Sequence, residues 1–136
     1  MDERTAPGQQ SLQLILARNL ISTLSTPAMI VDTHETVVFY NEAAGDFLGM
    51  RYEETGKMSL HDWRAAIGSA GGPIPEDQLP ISVALRERRP VHITTEVHPD
   101  DAAERSIEML ALPLIGTEDQ HEGAVGVFWP HVGDQP

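Results

Sequence analysis

One junction constrains the fold of this chain more than any other, the stretch "TVVFYNEAAGDFLGM" from Thr36 to Met50. Its first half is rich in the β-branched and aromatic residues of strands, whereas its second half is a run of small and helix-forming residues. Asn41 stands between the two halves, where an asparagine caps the free amides of a first helical turn. Ala43 and Ala44 are small enough for that helix to pack closely on a sheet. We therefore expect a strand that passes directly into a short helix.

Apolar periodicity assigns the remaining elements. "AMIVD" and "TVVFYN" predict a hairpin, and "VHITTEV", "SIEMLALPLI" and "AVGVFWPHV" predict three further strands joined by turns of hairpin length. Between the pair and the triplet lie segments typical of helices, "SLHDWRAA" with Ser59 as its cap and "ISVALRERR" behind Pro80. This order predicts an α+β fold, in which a five-stranded antiparallel sheet carries helices on one face.

The segment "SLQLILARNLISTL" predicts an N-terminal amphipathic helix, which Pro27 ends because the residue before a proline disfavours the helical region. Its apolar residues are more numerous than one face needs, since Leu14 and Ile21 widen the stripe formed by the others. We divide the chain accordingly into a tail, a helix, a folded domain and a second tail, at residues 1–9, 10–26, 27–132 and 133–136.

Composition limits the function classes. The 136 residues suit one domain, and 21 Asp+Glu against 9 Lys+Arg give a net charge of -12. A surface this acidic repels phosphate, so we expect no nucleic-acid and no membrane partner. The absence of cysteine excludes disulfides, thiolate metal sites and cysteine nucleophiles, and it suits a reducing compartment. No apolar run approaches the roughly 18 residues of a membrane span, and the polar start is unlike a signal peptide. We expect a cytoplasmic protein.

The motifs, taken in order, resemble the PAS domain family over most of the chain. "YNEAAGDFLGM" is similar to the family's strand-to-helix motif, "RYEETGK" is similar to the segment that follows it, and "PIPEDQLPISVALRERRPV" resembles the helix before the third strand. The residues that match at structural positions of the family are Asp32, Asn41, Ala43 and Gly49. The resemblance implies a stand-alone sensory or protein-interaction module.

The resemblance also implies which ligands to consider, since PAS domains hold haem, flavin or a small metabolite between sheet and helices, or only dimerise. Photochemical flavin binding needs a cysteine, which the chain lacks, and "ISVALRERR" lacks the histidine that usually holds haem. His61 is the nearest substitute, and we interpret it as a surface or capping residue. Trp63 is a candidate for a pocket wall, so other flavin binding stays open and the cofactor is unknown. Pocket candidates by strand and helix phase are Ile30, Val38, Phe47, Met58, Leu85, Ile93, Met109 and Val127.

No catalytic motif is visible, neither a nucleophile elbow nor a phosphate loop, and we expect no enzyme. The alternative is a small pocket enzyme of isomerase-like architecture, for which Asp32 and Tyr40 are the candidates. His92, Glu96 and His98 share a strand face, but the two histidines lie some 20 Å apart on an extended strand, too far for one metal ion. We therefore predict no metal site and interpret this face as solvated or partner-facing.

PAS sensors usually continue after the last strand into a coupling helix, whereas this sequence stops soon afterwards, at "PHVGDQP". We therefore expect the domain to act as a homodimer or on a signalling partner in trans. The predicted dimer seam is Leu12, Leu14, Ile15, Leu16, Leu20 and Ile21. The alternative is that the N-terminal helix folds back over its own sheet.

Overall fold

The structure is a computed structural model, which describes residues 12–67, 74–97, 105–116, 118 and 120–130. The two predicted tails, the loop "GSAGGP" and His98 lie outside these residues. One antiparallel sheet has the strand order β3-β2-β1-β6-β5-β4. Its strands are β1 Ala28–Asp32, β2 Thr36–Tyr40, β3 Met58–Ser59, β4 Val91–Val97, β5 Arg105–Ile115 and β6 His121–Pro130. The helices are α1 Leu12–Ile21, α2 Glu42–Leu48, α3 Tyr52–Thr55, α4 Leu60–Ile67 and α5 Pro80–Glu87, with a 3-10 turn at Glu76–Gln78.

The sheet has six strands where the sequence predicts five. The additional strand, β3, is two residues long and pairs with the start of β2 at the sheet edge. It is too short to show an alternating pattern, which explains why periodicity does not reveal it. Strand β6 also begins three residues before the predicted start, at His121, because its backbone keeps pairing with β5 where the side chains have already become polar.

The sheet buries both of its faces. On the inner face, helices α2, α4 and α5 enclose the larger core, which includes Met29, Tyr40, Trp63 and Phe128. On the outer face, α1 lies over β1, β2, β5 and β6 and buries Leu14 and Ile21 against Ala28, Ile30, Val38 and Val125. The helix therefore folds back over its own sheet, as in the alternative stated above, and the other helices lie on one face as predicted.

The strand-to-helix junction forms where the sequence predicts it. Asn41 is extended and its side-chain oxygen accepts a hydrogen bond from the amide of Ala44, which caps α2. Ala44 is fully buried, so the small side chain does allow close packing. Gly49 ends the helix in the left-handed conformation (φ 79°), which glycine adopts without steric cost.

The β1–β2 hairpin is closed by Asp32. Its side-chain oxygen accepts from the amides of His34 and Thr36 at 2.9 and 3.0 Å, a turn that an aspartate can make with its own following backbone. Glu35 takes the left-handed position of this turn (φ 60°). The aspartate that matches the family motif therefore holds a turn in this structure.

Two glycines with positive φ provide a matched test of the sheet packing. A Cβ at Gly123 (φ 146°) would collide with the Val31 carbonyl oxygen, whereas a Cβ at Gly49 would meet nothing within 4 Å. We expect Gly123→Ala to lower the free energy of unfolding by about 3 kcal/mol and Gly49→Ala by about 1 kcal/mol, both measured by urea titration. Equal losses would contradict the close approach of β1 and β6.

Candidate functional site

A small apolar cavity lies between the inner face of the sheet and the helices. Its volume is about 70 Å³. Among the described residues of its wall, Arg64 is the one that is charged, and it is engaged in an interaction within the chain. The other lining residues are apolar: Met29, Phe47, Leu48, Leu60, Trp63, Leu79, Pro80, Ile81, Ile107, Met109, Leu110, Ala111, Gly126, Val127 and Phe128.

The cavity exists because two small residues are neighbours in the sheet. Ala111 of β5 pairs with Gly126 of β6, and Gly126 also pairs with Met29 of β1. The side chains around this small pair are large, and they keep the helices from packing directly against the pair. A Cβ added at Gly126 would stand 3.2 Å from the Ile81 side chain, which places α5 directly above the floor.

The structure distributes the predicted pocket residues over several places. Phe47 and Met109 line the cavity from the inner core. Val127 borders the cavity, but its side chain packs against the outer core under α1, so it requires the same correction as Ile30 and Val38. Leu85 and Met58 belong to the inner core without lining it. Ile93 pairs with Met109 on the neighbouring strand but is not part of the wall.

Ile30 and Val38 require a correction, because their side chains lie in the outer core under α1. The physical reason is the strand phase: a slip by one residue moves a side chain to the opposite face. In β1 Met29 takes the inner position instead of Ile30, and in β2 Val37 takes it instead of Val38. Sequence reasoning also missed the inner residues Leu60, Leu79, Ile81, Ile107, Ala111 and Phe128, whereas Trp63 was a candidate and does line the cavity.

An aromatic group closes one side of the cavity wall. The Trp63 indole lies edge-on to the Tyr40 ring, with 5.8 Å between ring centroids, and its Nε1 is buried without a hydrogen-bond partner among the described residues. The Tyr40 hydroxyl donates to the Met50 carbonyl oxygen at 2.6 Å. Burial raises the pKa of the Tyr40 hydroxyl above its ordinary value.

Asn41 connects three elements beside this wall. Its side-chain oxygen accepts from the Ala28 and Ala44 amides at 3.1 and 3.0 Å, and so joins β1 to the start of α2. Its amide group donates to the carbonyl oxygens of Ile21 and Thr26, both at 2.9 Å, at the end of α1 and in the segment after it. Sequence reasoning predicted the cap but missed the link to α1, since a contact across twenty residues leaves no local pattern.

Helix α1 is held on the outer face at a second point. The guanidinium of Arg18 lies over the Phe39 ring at 4.4 Å from its centroid and near the Tyr52 ring at 5.7 Å. Stacking of this kind contributes roughly 0.5–1 kcal/mol at an exposed position. Together with Asn41, it fixes the rotation of α1 on the sheet.

The rotation of α1 divides the predicted dimer seam into two groups. Leu14 and Ile21 are buried against the chain's own sheet, which removes them from any seam. Leu12, Ile15, Leu16 and Leu20 face outward with 63, 44, 56 and 63% of their surface exposed. We call these four residues the α1 stripe.

Two of the histidines considered above, His61 and His92, lie on the surface and have carboxylate partners. His61 pairs with Glu76 at 2.9 Å, and His92 pairs with Glu108 at 2.8 Å while stacking on Trp129. In the part of the chain that the structure describes, no three metal-ligating side chains lie together.

The structure does not bring the two isomerase candidates together. Asp32 holds the hairpin turn, whereas Tyr40 lies at the opposite end of the hairpin, opposite Met29. An acid–base pair must reach the same substrate, so this arrangement does not favour the enzymatic alternative.

The residues around the cavity do not fit haem or flavin. None of the described residues that line it is a histidine, and its volume is far below the roughly 300–1,000 Å³ of typical drug-sized ligand pockets. A ligand in this cavity has to be much smaller.

A family model described as the PAS fold matches residues 16–130. The chain belongs to the PAS family. No curated protein matches it significantly. Among solved structures, this PAS domain is similar to that of Bordetella pertussis BvgS, at 15% identity and a TM-score of 0.64, covering 88% of this chain and 85% of the other. It is also similar to the Rhodobacter sphaeroides LOV protein, at 14% identity and a TM-score of 0.65, covering 91% and 71%.

A third similar structure is a PAS domain from Colwellia psychrerythraea, at 12% identity and a TM-score of 0.58, covering 87% of this chain and 96% of the other. At these identities the likeness shows the fold. PAS domains form a family of sensory and signalling modules. Among the described residues of this PAS domain, no helix has the length and apolar character needed to cross a membrane.

The double role of Asn41 can be separated by substitution. Asn41→Asp keeps the oxygen that caps α2 but replaces the donor to Ile21 and Thr26 with a second oxygen, whereas Asn41→Ala removes both. We expect Asn41→Asp to raise hydrogen exchange in α1 about tenfold or more while Ala44 stays protected, and Asn41→Ala to raise both and cost about 2–4 kcal/mol.

The control is Asn19→Asp, the same change at the chain's other asparagine, which is exposed on α1. Unchanged exchange of α1 in Asn41→Asp would show that the helix is held without this side chain.

The raised pKa of Tyr40 predicts a pH dependence. In the unfolded chain the hydroxyl ionises near the ordinary value of 10.0, whereas in the folded chain it keeps its proton to higher pH. The unfolded state therefore loses its proton first, and stability falls as the pH rises above about 10. We expect Tyr40→Phe to cost about 1 kcal/mol near pH 8, through the lost bond to Met50, and to weaken the further loss near pH 10.5. Parallel pH curves from urea unfolding of both proteins would contradict this assignment.

Proposed function

We propose that this PAS domain is a cytoplasmic sensory and interaction module that pairs with a second copy of itself through α1 and signals to a partner protein in trans. The α1 stripe is the observation that supports the pairing. Four large apolar side chains, Leu12, Ile15, Leu16 and Leu20, stand in water on one side of a helix whose other side is already buried. Burial of such side chains contributes roughly 1.5–3 kcal/mol each, so a partner surface would stabilise this arrangement.

Charge favours a second copy as the occupant. The chain carries 21 acidic residues, yet none lies between Arg4 and Val31, the segment that contains α1. Two copies with a net charge of -12 each repel one another over most of their surfaces. They can approach with the least repulsion where acidic residues are missing, and a two-fold axis brings the same stripe together from both sides.

The apolar surface continues from α1 onto the sheet. Leu112 of β5 is exposed and pairs with Val125 of the outer core, and Leu114 of the same strand packs under α1. A partner helix therefore finds apolar contact both on α1 and on the open part of the outer face beside it. The combined surface is wider than a helix stripe alone, which favours a stable interface over a transient contact.

The arrangement also supports communication between the cavity and the dimer face. Met29 lines the cavity and follows Ala28, whose amide is bound by Asn41. The same asparagine holds the end of α1. A ligand that moves the wall at Met29 therefore acts on the residue that fixes the interaction helix, and we propose this short connection as the route of the signal.

The seam is tested by Leu16→Asp with Leu20→Asp. Two carboxylates in the centre of an apolar interface would lose their hydration, so we expect the double variant to be monomeric by light scattering at concentrations where the native chain is dimeric. Ala65→Asp with Ala66→Asp, exposed on α4, adds the same charge away from the stripe and should keep the dimer mass. A native chain that is monomeric, or an unchanged dimer in the Leu16/Leu20 variant, would sink the proposal.

A further inference from the structure

The cavity on the inner face carries enough information to name a class of ligand. This inference rests on the proposal that the domain senses a small molecule between sheet and helices, and it specifies which molecules that site accepts. The relevant properties are the polarity, the size and the deformability of the wall.

The polarity of the wall excludes ions. Fifteen of the sixteen lining residues are apolar, and the one charged residue, Arg64, already has an interaction within the chain. A charged ligand would lose hydration among these apolar side chains, and an anion would have to compete with the interaction that Arg64 already makes, at a cost of several kcal/mol. An uncharged apolar molecule loses no hydrogen bonds to water, and it gains contacts with the apolar side chains that line the cavity.

The size of the cavity sets the upper bound. An engineered protein cavity of about 150 Å³ with comparable apolar walls stays dry and takes benzene or xenon. The cavity here measures about 70 Å³, so benzene requires some expansion while a single xenon atom requires less.

Two methionines provide that expansion. Met29 of β1 pairs with Gly126, and Met109 precedes Ala111 by two residues on β5, so each methionine is a neighbour of the small Ala111–Gly126 pair. Methionine has three flexible torsions and adapts to irregular space at little cost. Rotation of either side chain enlarges the cavity without moving the backbone of the sheet.

We infer that this cavity is a binding site for small, uncharged, apolar molecules, from xenon to a single aromatic ring, with the Ala111–Gly126 pair as its floor and Met29 and Met109 as its adjustable walls. Larger planar cofactors and ionised metabolites are outside this class.

The test follows the methyl resonances of the methionines by NMR while benzene, xenon, ethylbenzene, benzoate or benzylammonium is added to the full chain. We expect benzene and xenon to shift the Met29 and Met109 methyl signals saturably, while the signal of Met58, which does not line the cavity, stays constant. Benzoate and benzylammonium, which carry a charged substituent on the same ring, should produce no saturable shift, whereas ethylbenzene, an uncharged molecule of the size of benzylammonium, should. Saturable binding of the charged compounds with similar affinity, or no saturable shift with benzene and xenon, would overturn the inference.

A variant with a larger side chain at the floor of the cavity tests whether the ligand binds there. Ala111→Ile places a branched side chain in the cavity and should weaken benzene binding at least about tenfold, which corresponds to about 1.4 kcal/mol. Ala65→Ile makes the same change on the exposed side of α4 and should leave binding unchanged. Benzene binding at native strength in a folded Ala111→Ile variant would overturn the assigned location. If that variant does not fold, the comparison of neutral and charged compounds on the native chain still decides the ligand class.

The dimer mass of the same samples keeps the two proposals distinct. A native chain that binds benzene but is monomeric would contradict the pairing through α1 and leave the ligand class standing. A dimer that binds none of the neutral compounds would contradict the ligand class and leave the pairing through α1 standing.

Discussion

The side chain of Asn41 is the interaction on which the arrangement of this domain depends. It is 3% exposed, and both of its polar atoms are used. The oxygen accepts twice, and the nitrogen donates to the carbonyl oxygens of Ile21, at the end of α1, and of Thr26, in the segment that follows. Leaving such buried groups unpaired costs about 1–3 kcal/mol each, so the network is stable only when all of its members are in place. One residue therefore sets the start of α2, the start of β1 and the end of α1 together.

Because the Asn41 side chain also binds the end of α1, this helix can lie on the outer face although it buries little surface there. Only Leu14 and Ile21 are buried along its length, and a short helix with two anchors would otherwise be held weakly. The Asn41 bond to Ile21, the last residue of α1, and the stacking of Arg18, in the last turn, over Phe39 supply fixed points. The remaining apolar side chains are then presented outward in one defined orientation, which an interface between two copies requires.

The sequence predicts the fold well because the junction at Asn41 and the clean alternation of β4 are local signals. It predicts the strand phase less well in β1, since "AMIVD" is apolar on both faces and periodicity cannot decide which one meets the helices. The consequence is the exchange of Ile30 for Met29 in the predicted wall. The orientation of α1 is likewise set by its docking on the sheet, which no local sequence pattern predicts. This docking buries Leu14 and Ile21 and leaves the α1 stripe exposed.

The cavity arises from the pairing of two small residues on neighbouring strands, which cannot be predicted from the sequence alone. Ala111 and Gly126 are unremarkable residues in two strands, and only the register of β5 on β6 places them side by side. A small pair under a helix is either closed by the helix or left as a void. The Ile81 side chain lies 3.2 Å from the position that a Cβ on Gly126 would occupy, so this side chain prevents α5 from packing closer to the sheet. The space beside it is bounded by Met29, next to the strand end that Asn41 holds. On the proposed route, a change of volume there would act on the same hydrogen bonds that keep α1 in place.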